Sequence, residues 1–266
     1  MTNRYGGFVW YELMTTDSVA AQTFYGALLP WQFVNSGQTE RDYTMISATD
    51  DQTGQQHGVG GILGLTPDMC EQGARPVWLG YISVPDVSQA LSSITAAGGS
   101  VIMPGIHAPG AGTLAMVSDP QGIVFYIIAP EGEGVSLAFA HDRPRVGHVA
   151  WNELATPDPA AAMDFYTCHF GWQKDGEMNM GPLGKYEFLR HDGVIGALQP
   201  VSEMAPQPGW NMYFRVADID AAASTIVEGG GKLVGEPHEV PGGDFSLHAI
   251  DPQGARFSLV GKRINR

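Results

Sequence analysis

Apolar and polar positions alternate along residues 8–14 (FVWYELM), the pattern of a strand. Val9, Tyr11 and Leu13 share one face of it, and Trp10, Glu12 and Met14 share the other. The pattern then changes period. After Asp17, placed to cap a helix, Ala20, Phe24 and Leu28 recur at four-residue spacing. Short strands are predicted near residues 43–47 and 59–63. A second cycle follows: a strand at 78–84, a helix at 87–97 stopped by Gly98-Gly99, then strands at 100–102, 113–117 and 123–128.

The whole order then repeats. Residues 10–32 (WYELMTTDSVAAQTFYGALLPWQ) and 151–173 (WNELATPDPAAAMDFYTCHFGWQ) agree at 11 of 23 positions. Trp78, Tyr81, Val84 and Asp86 recur as Trp210, Tyr213, Val216 and Asp218, and Asp119-Pro120-Gln121-Gly122 recurs as Asp251-Pro252-Gln253-Gly254. An internal repeat fixes architecture before any single residue does. The second copy predicts Asp158 as N-cap with Pro159 at the first helical position, where a missing N–H costs nothing. Its strands are expected near 186–189, 194–198, 210–216, 245–250 and 256–260, and its second helix at 219–227. Asp-Pro-Gln-Gly suits a tight turn, with proline second and glycine fourth.

The expected class is α+β: four βαβββ modules paired into two similar domains, with concave sheets and outer helices. The bounds are 1–133 and 147–266, with a linker at 134–146. Leu137, Ala138 and Phe139 suggest that the middle of the connecting segment packs onto a domain.

Composition narrows the partners. The chain of 266 residues carries a net charge of −14, the opposite of what nucleic acid or an anionic membrane attracts. No apolar run approaches a membrane span and no signal peptide is visible, so a cytoplasmic protein is expected. Cys70 and Cys168 are too few for a disulfide framework and read as free thiols. The eight histidines are scattered without a chelating spacing, and His57 and His107 would be examined first.

The run of a capping Asp, A-x-x-FY, GW, V-x-D, GG and DPxG resembles the vicinal oxygen chelate superfamily. That group includes glyoxalase I, bleomycin-resistance proteins and extradiol dioxygenases, and W-x-E-L at each half resembles its two-domain glyoxalase-like members. The resemblance implies a divalent metal held by His, Glu or Gln inside the concave face. One ligand position lies seven residues before each capping Asp, which here gives Trp10, Leu79, Trp151 and Asn211. Another lies seven after the Asp of DPxG, giving Tyr126 and Ser258. The closing strands offer Ile62, Leu63 and Gly64, or Ala197, Leu198 and Gln199. None is a histidine or a carboxylate, so neither metal nor other cofactor is expected.

Two carboxylates then stand out. Glu12 and Glu153 follow the tryptophans on the same face, and apolar surroundings would suit either to proton transfer. A structural role, bonded to neighbouring strands, is the alternative. Trp10 and Trp151 could stack on a flat ligand or simply fill the cavity. Tyr81, Tyr126 and Tyr213 could contribute to ligand binding. Asn211, Arg215, His248 and Arg256 make the second half more polar. The favoured function is binding of a small apolar or aromatic molecule. A metal-independent lyase or isomerase, with Glu12 or Glu153 as base, and a non-catalytic assembly scaffold are the alternatives.

Overall fold

A computed structural model describes residues 3–37, 41–132, 134–203 and 205–264. The boundary position 133 lies outside them. The four modules are present in the expected order. The first holds β1 (Phe8–Thr15), α1 (Ser18–Leu28), β2 (Trp31–Asn35), β3 (Tyr43–Thr49) and β4 (Gln56–Gly64), followed by a short helix, α2 (Pro67–Glu71). The second holds β5 (Val77–Ser83), α3 (Val87–Ala96), β6 (Ser100–Ala108), β7 (Gly112–Ser118) and β8 (Val124–Pro130). The third holds β9 (Val149–Thr156), α4 (Pro159–Phe170), β10 (Gln173–Asn179), β11 (Lys185–Arg190) and β12 (Val194–Pro200). The fourth holds β13 (Gly209–Asp218), α5 (Ile219–Glu228), β14 (Lys232–Val240), β15 (Asp244–Ile250) and β16 (Arg256–Lys262).

Each half forms one mixed eight-stranded sheet, ordered β2-β3-β4-β1-β5-β8-β7-β6 and β10-β11-β12-β9-β13-β16-β15-β14. The fold is therefore α+β with two similar halves. Every module helix starts on an aspartate whose side chain accepts an N–H of the first turn: Asp17, Asp86, Asp158 and Asp218. These four caps satisfy donors the helix itself leaves open.

The chain also divides into two compact units that do not follow the halves. One comprises Met1–Val9, Leu79–Ser136 and Trp151–Asn211, and so takes most of the second and third modules. The other comprises Trp10–Trp78, Leu137–Ala150 and Met212–Arg266, most of the first and fourth.

In the unit built on the first and fourth modules, α1 packs against α5. The Tyr25 hydroxyl donates to Asp251 at 3.0 Å and accepts from the Trp78 indole at 2.9 Å. Trp31 donates to the Gly147 carbonyl at 2.7 Å. The linker is fixed here too. Ala138 and Phe139 are buried, and the buried Asp50 carboxylate pairs with both Arg143 and Arg145.

In the unit built on the second and third modules, α3 packs against α4. Its contacts repeat the first set residue for residue. Tyr166 donates to Asp119 at 3.2 Å and accepts from Trp210 at 3.3 Å, and Trp172 donates to the Gly6 carbonyl at 2.7 Å. Buried phenol and indole groups need such partners: Tyr25, Trp31, Tyr166 and Trp172 each donate to the other half of the sequence, while Trp78 and Trp210 donate to the tyrosine of their own half.

Candidate functional site

On β1, Tyr11 and Leu13 are fully buried and Trp10 is half-buried. Glu12 lies beside Gly61 in the parallel β1–β4 ladder, and Tyr43 lies beside Leu63 in the antiparallel β3–β4 ladder. This register brings a third residue between the two that the sequence singled out. The Trp10 indole donates to the Tyr43 hydroxyl at 3.0 Å, and that hydroxyl is hydrogen-bonded to Glu12. Burial, reinforced by the charge of Glu12, pushes the Tyr43 phenol well above its ordinary range. The phenol therefore stays protonated and can act as donor to the carboxylate.

The third module repeats the chain. Trp151 donates to the Tyr186 hydroxyl at 2.8 Å, and Tyr186 donates to Glu153 Oε2 at 2.8 Å. Tyr186 is raised in the same way, first by burial and then by Glu153. Phe188 meets the Trp151 ring edge-on, with centroids 6.1 Å apart. Both carboxylates are almost fully buried, at 3% and 5% exposure.

Tyr43 and Tyr186 escaped the reading of the sequence. Their spacing is 143, not the 141 that aligns the first strands and helices. The segment before the third strand is two residues longer in the second half, so a fixed offset separates the pair. The signal lay in the ladders: Met45–Gly61 corresponds to Phe188–Ala197, and Tyr43 and Tyr186 each stand two residues before the first member of that pair.

The other sequence candidates fall into two contrasting groups. Tyr81 and Tyr126 are ladder neighbours on β5 and β8, and their rings stack with centroids 4.2 Å apart. Tyr213 and Ser258 hold the equivalent places on β13 and β16. His248 Nδ1 lies 2.8 Å from Ser258 Oγ, and its ring meets Tyr213 at 5.6 Å. Burial, and then His238 and Arg256, hold the His248 imidazole down to about 4. Arg256 itself is exposed. Arg215 is committed to Asp244 at 2.8 Å, and Asn211 stands half-buried near the start of β13. His57 lies with its ring 5.9 Å from that of buried His148, while His107 faces Glu131 at the surface.

The donor set at the positions where the superfamily would place a metal does not suit one. The Trp10 and Trp151 indoles offer an N–H and no lone pair, and each N–H is already given to a tyrosine. Leu79 and Tyr126, or Asn211 and Ser258, add at most neutral, weak oxygen donors, whereas such ions are held by converging imidazoles and carboxylates. Among the described residues no three His, Cys, Asp or Glu side chains gather to hold a metal ion.

Comparison with known proteins agrees with the architecture. Residues 145–259 match the family model of the Glyoxalase/Bleomycin resistance protein/Dioxygenase superfamily. The chain is 31% identical over 261 residues to the "Putative glyoxylase CFP32" of Mycobacterium tuberculosis (strain CDC 1551 / Oshkosh), covering 94% of this chain and 93% of that protein. It is 29% identical to the "Anthracycline biosynthesis protein DnrV" of Streptomyces peucetius, covering 96% and 93% respectively. Among solved structures, the Mn(II)-bound glyoxalase from Novosphingobium aromaticivorans superposes with a TM-score of 0.65 at 17% identity, covering 99% of this chain and 84% of that one. The 2,3-dioxygenase LapB from Pseudomonas sp. KL28 gives 0.65 at 13% identity, covering 100% and 95%. The chain belongs to the glyoxalase/bleomycin resistance protein/dioxygenase superfamily.

Proposed function

We propose that the protein binds a small, flat aromatic molecule, with an indole as stacking surface and the adjoining tyrosine–glutamate pair as its polar anchor. The observation that carries this reading is the Trp–Tyr–Glu chain, built twice from different stretches of sequence. A carboxylate already held by a phenol is oriented before a ligand arrives, so less ordering is required on binding. An aromatic hydroxyl is the group such a carboxylate would accept. Two relatives are named for anthracycline biosynthesis, and anthracyclines are fused planar aromatics bearing hydroxyl groups. The partner is thus a small molecule rather than nucleic acid or a membrane. No helix among the described residues is long and apolar enough to cross a membrane.

A second reading is favoured by the same carboxylates. Glu12 or Glu153 could remove a proton from a bound phenol or carbon acid, in lyase or isomerase chemistry without a tightly bound metal. Titration with 1,8-dihydroxyanthraquinone, followed by tryptophan fluorescence, tests the binding reading. Saturable quenching is expected, weakened by Trp10→Leu or Trp151→Leu. No response in the wild type would instead favour a scaffold role. Glu153→Gln and Glu12→Gln separate binder from enzyme: a turnover using either base should fall about 100-fold, while binding of the dihydroxyquinone, whose hydroxyl can still donate to the amide oxygen, should weaken by about tenfold or less.

A further inference from the structure

The second and fourth modules close with the same register, so their faces compare position by position. Met116 opposes Tyr126 as His248 opposes Ser258, and Ile106 opposes Leu114 as His238 opposes Ser246. In both, the alternate residues Phe125 and Ile127, or Phe257 and Leu259, are buried in the core. The remaining face is apolar in the second module: Ile106, Leu114, Met116, Val124 and Tyr126. At the same places the fourth module has His238, Ser246, His248, Arg256 and Ser258. Around a tyrosine common to both, Tyr81 or Tyr213, the whole face has changed from apolar or aromatic to polar.

These polar groups are organised. Ser246 Oγ lies 2.9 Å from His238 Nε2, Ser258 Oγ lies 2.8 Å from His248 Nδ1, and the two imidazoles are 6.1 Å apart. Arg256 brings the formal charge and lies near enough to His248 to affect its titration. Three other cations of this module hold carboxylates: Arg215 and Lys262 share Asp244, and Arg263 takes Asp220. Arg256 makes no ion pair among the described residues. An exposed guanidinium with no ion pair among the described residues, on the same face as these hydrogen-bonding groups, is suited to an anion brought by a ligand. A guanidinium fork matches a planar carboxylate in two parallel hydrogen bonds.

We propose that this face of the fourth module binds the carboxylate of a small planar organic acid, with Arg256 as its charged partner and His248 and Tyr213 beside it. The inference does not depend on the Trp–Tyr–Glu reading, because it uses none of those residues.

The test is calorimetric titration of the full chain with salicylate and with its neutral analogue salicylamide. Salicylate should bind about tenfold or more tightly than salicylamide, and Arg256→Gln should abolish that preference. Arg256→Lys, which keeps charge without the fork, should retain only part of it. Arg256 is exposed, so these variants should fold, and thermal melting checks that they do. Failure of salicylate to bind the wild type, equal binding of acid and amide, or a preference that survives Arg256→Gln would each overturn the proposal. Equal competition by inorganic phosphate would also overturn it, by revealing a general anion site. Loss of quinone binding alone would count only against the function proposed above.

Discussion

The Tyr25 hydroxyl donates to the Asp251 carboxylate across 226 residues of sequence, at 3.0 Å. The other oxygen of Asp251 is taken up locally by the N–H groups of Gln253, Gly254 and Ala255. One side chain thus closes the Asp-Pro-Gln-Gly turn and holds a helix from the other half. Asp119 does the same, binding the N–H groups of Gln121 and Ile123 on one oxygen and Tyr166 on the other. A motif that reads as a turn is also the contact joining one half of the sequence to the other.

Tyr25→Phe should therefore cost more than a surface hydroxyl. It leaves a buried carboxylate oxygen without its phenol donor and the Trp78 indole without an acceptor. We expect a loss of about 1–3 kcal/mol in urea unfolding, and a similar loss for Tyr166→Phe. The two sites share no residue, so the double variant should show near-additive losses.

Stability should fall on acidification, and His248 should be a measurable cause. Its folded value, about 4, lies below the ordinary 6.5. A depressed base contributes stability that is complete above its unfolded value and is lost as pH falls between the two. His148, His169 and His191 are lowered by burial and act in the same direction. Asp119 and Asp251 act oppositely: burial raises them, so their contribution is complete in acid and lost as pH rises through the folded value. Urea unfolding of His248→Gln at pH 7 and at pH 4 separates these effects. The variant should lose about 1–3 kcal/mol less than the wild type over that interval.

The modules, their helix starts and the alternation of the first strand were legible in the sequence because each is specified locally. Asp17 and Asp158 cap their helices with their own side chains, and the faces of β1 follow from a period of two. The edge strands β2 and β10 were not predicted: most of their side chains meet solvent, β10 is polar almost throughout, and β2 is only five residues long, with the alternation of Trp31 and Phe33 broken at Val34. β6 runs to Ala108, well beyond the expected 100–102, and β14 was missed. Pro104 and Pro237 interrupt their patterns, and the ladders shift register at those points. Of the candidate site, the tryptophans and carboxylates were visible, but the tyrosines that join them were not. The exchange of Tyr25 and Tyr166 between halves has no local signature at all.

Three glycine substitutions on the strands beside the carboxylates should divide sharply. A Cβ at Gly196 would fall 1.8 Å from the Asn152 carbonyl oxygen, and one at Gly60 would fall 2.3 Å from that of Tyr11. Backbone cannot step aside, so Gly196→Ala and Gly60→Ala should cost about 3 kcal/mol or more, at or above the usual overpacking range. A Cβ at Gly61 would meet the Tyr43 hydroxyl at 2.2 Å, but Ala197 holds the equivalent place in the third module. Gly61→Ala should thus be tolerated with a smaller loss, while a shift in tryptophan emission reports the displaced Tyr43.

The tyrosine–glutamate pairs make a prediction that needs no ligand. Tyr25, Tyr43, Tyr166 and Tyr186 are all pushed well above the usual phenol range, each by burial first and by the adjoining carboxylate next. In an alkaline absorbance titration these four tyrosines should not ionise in the ordinary phenol range and should respond only as the fold is lost. Tyr186→Phe should remove one from that late group. It also strands the Trp151 N–H and removes a donor from Glu153, so tryptophan emission should shift and stability should fall by about 1–3 kcal/mol. If Tyr186 titrated early in the folded protein, its hydroxyl would be open to solvent, and the indole–phenol–carboxylate chain could not be the preorganised anchor on which the proposed function rests.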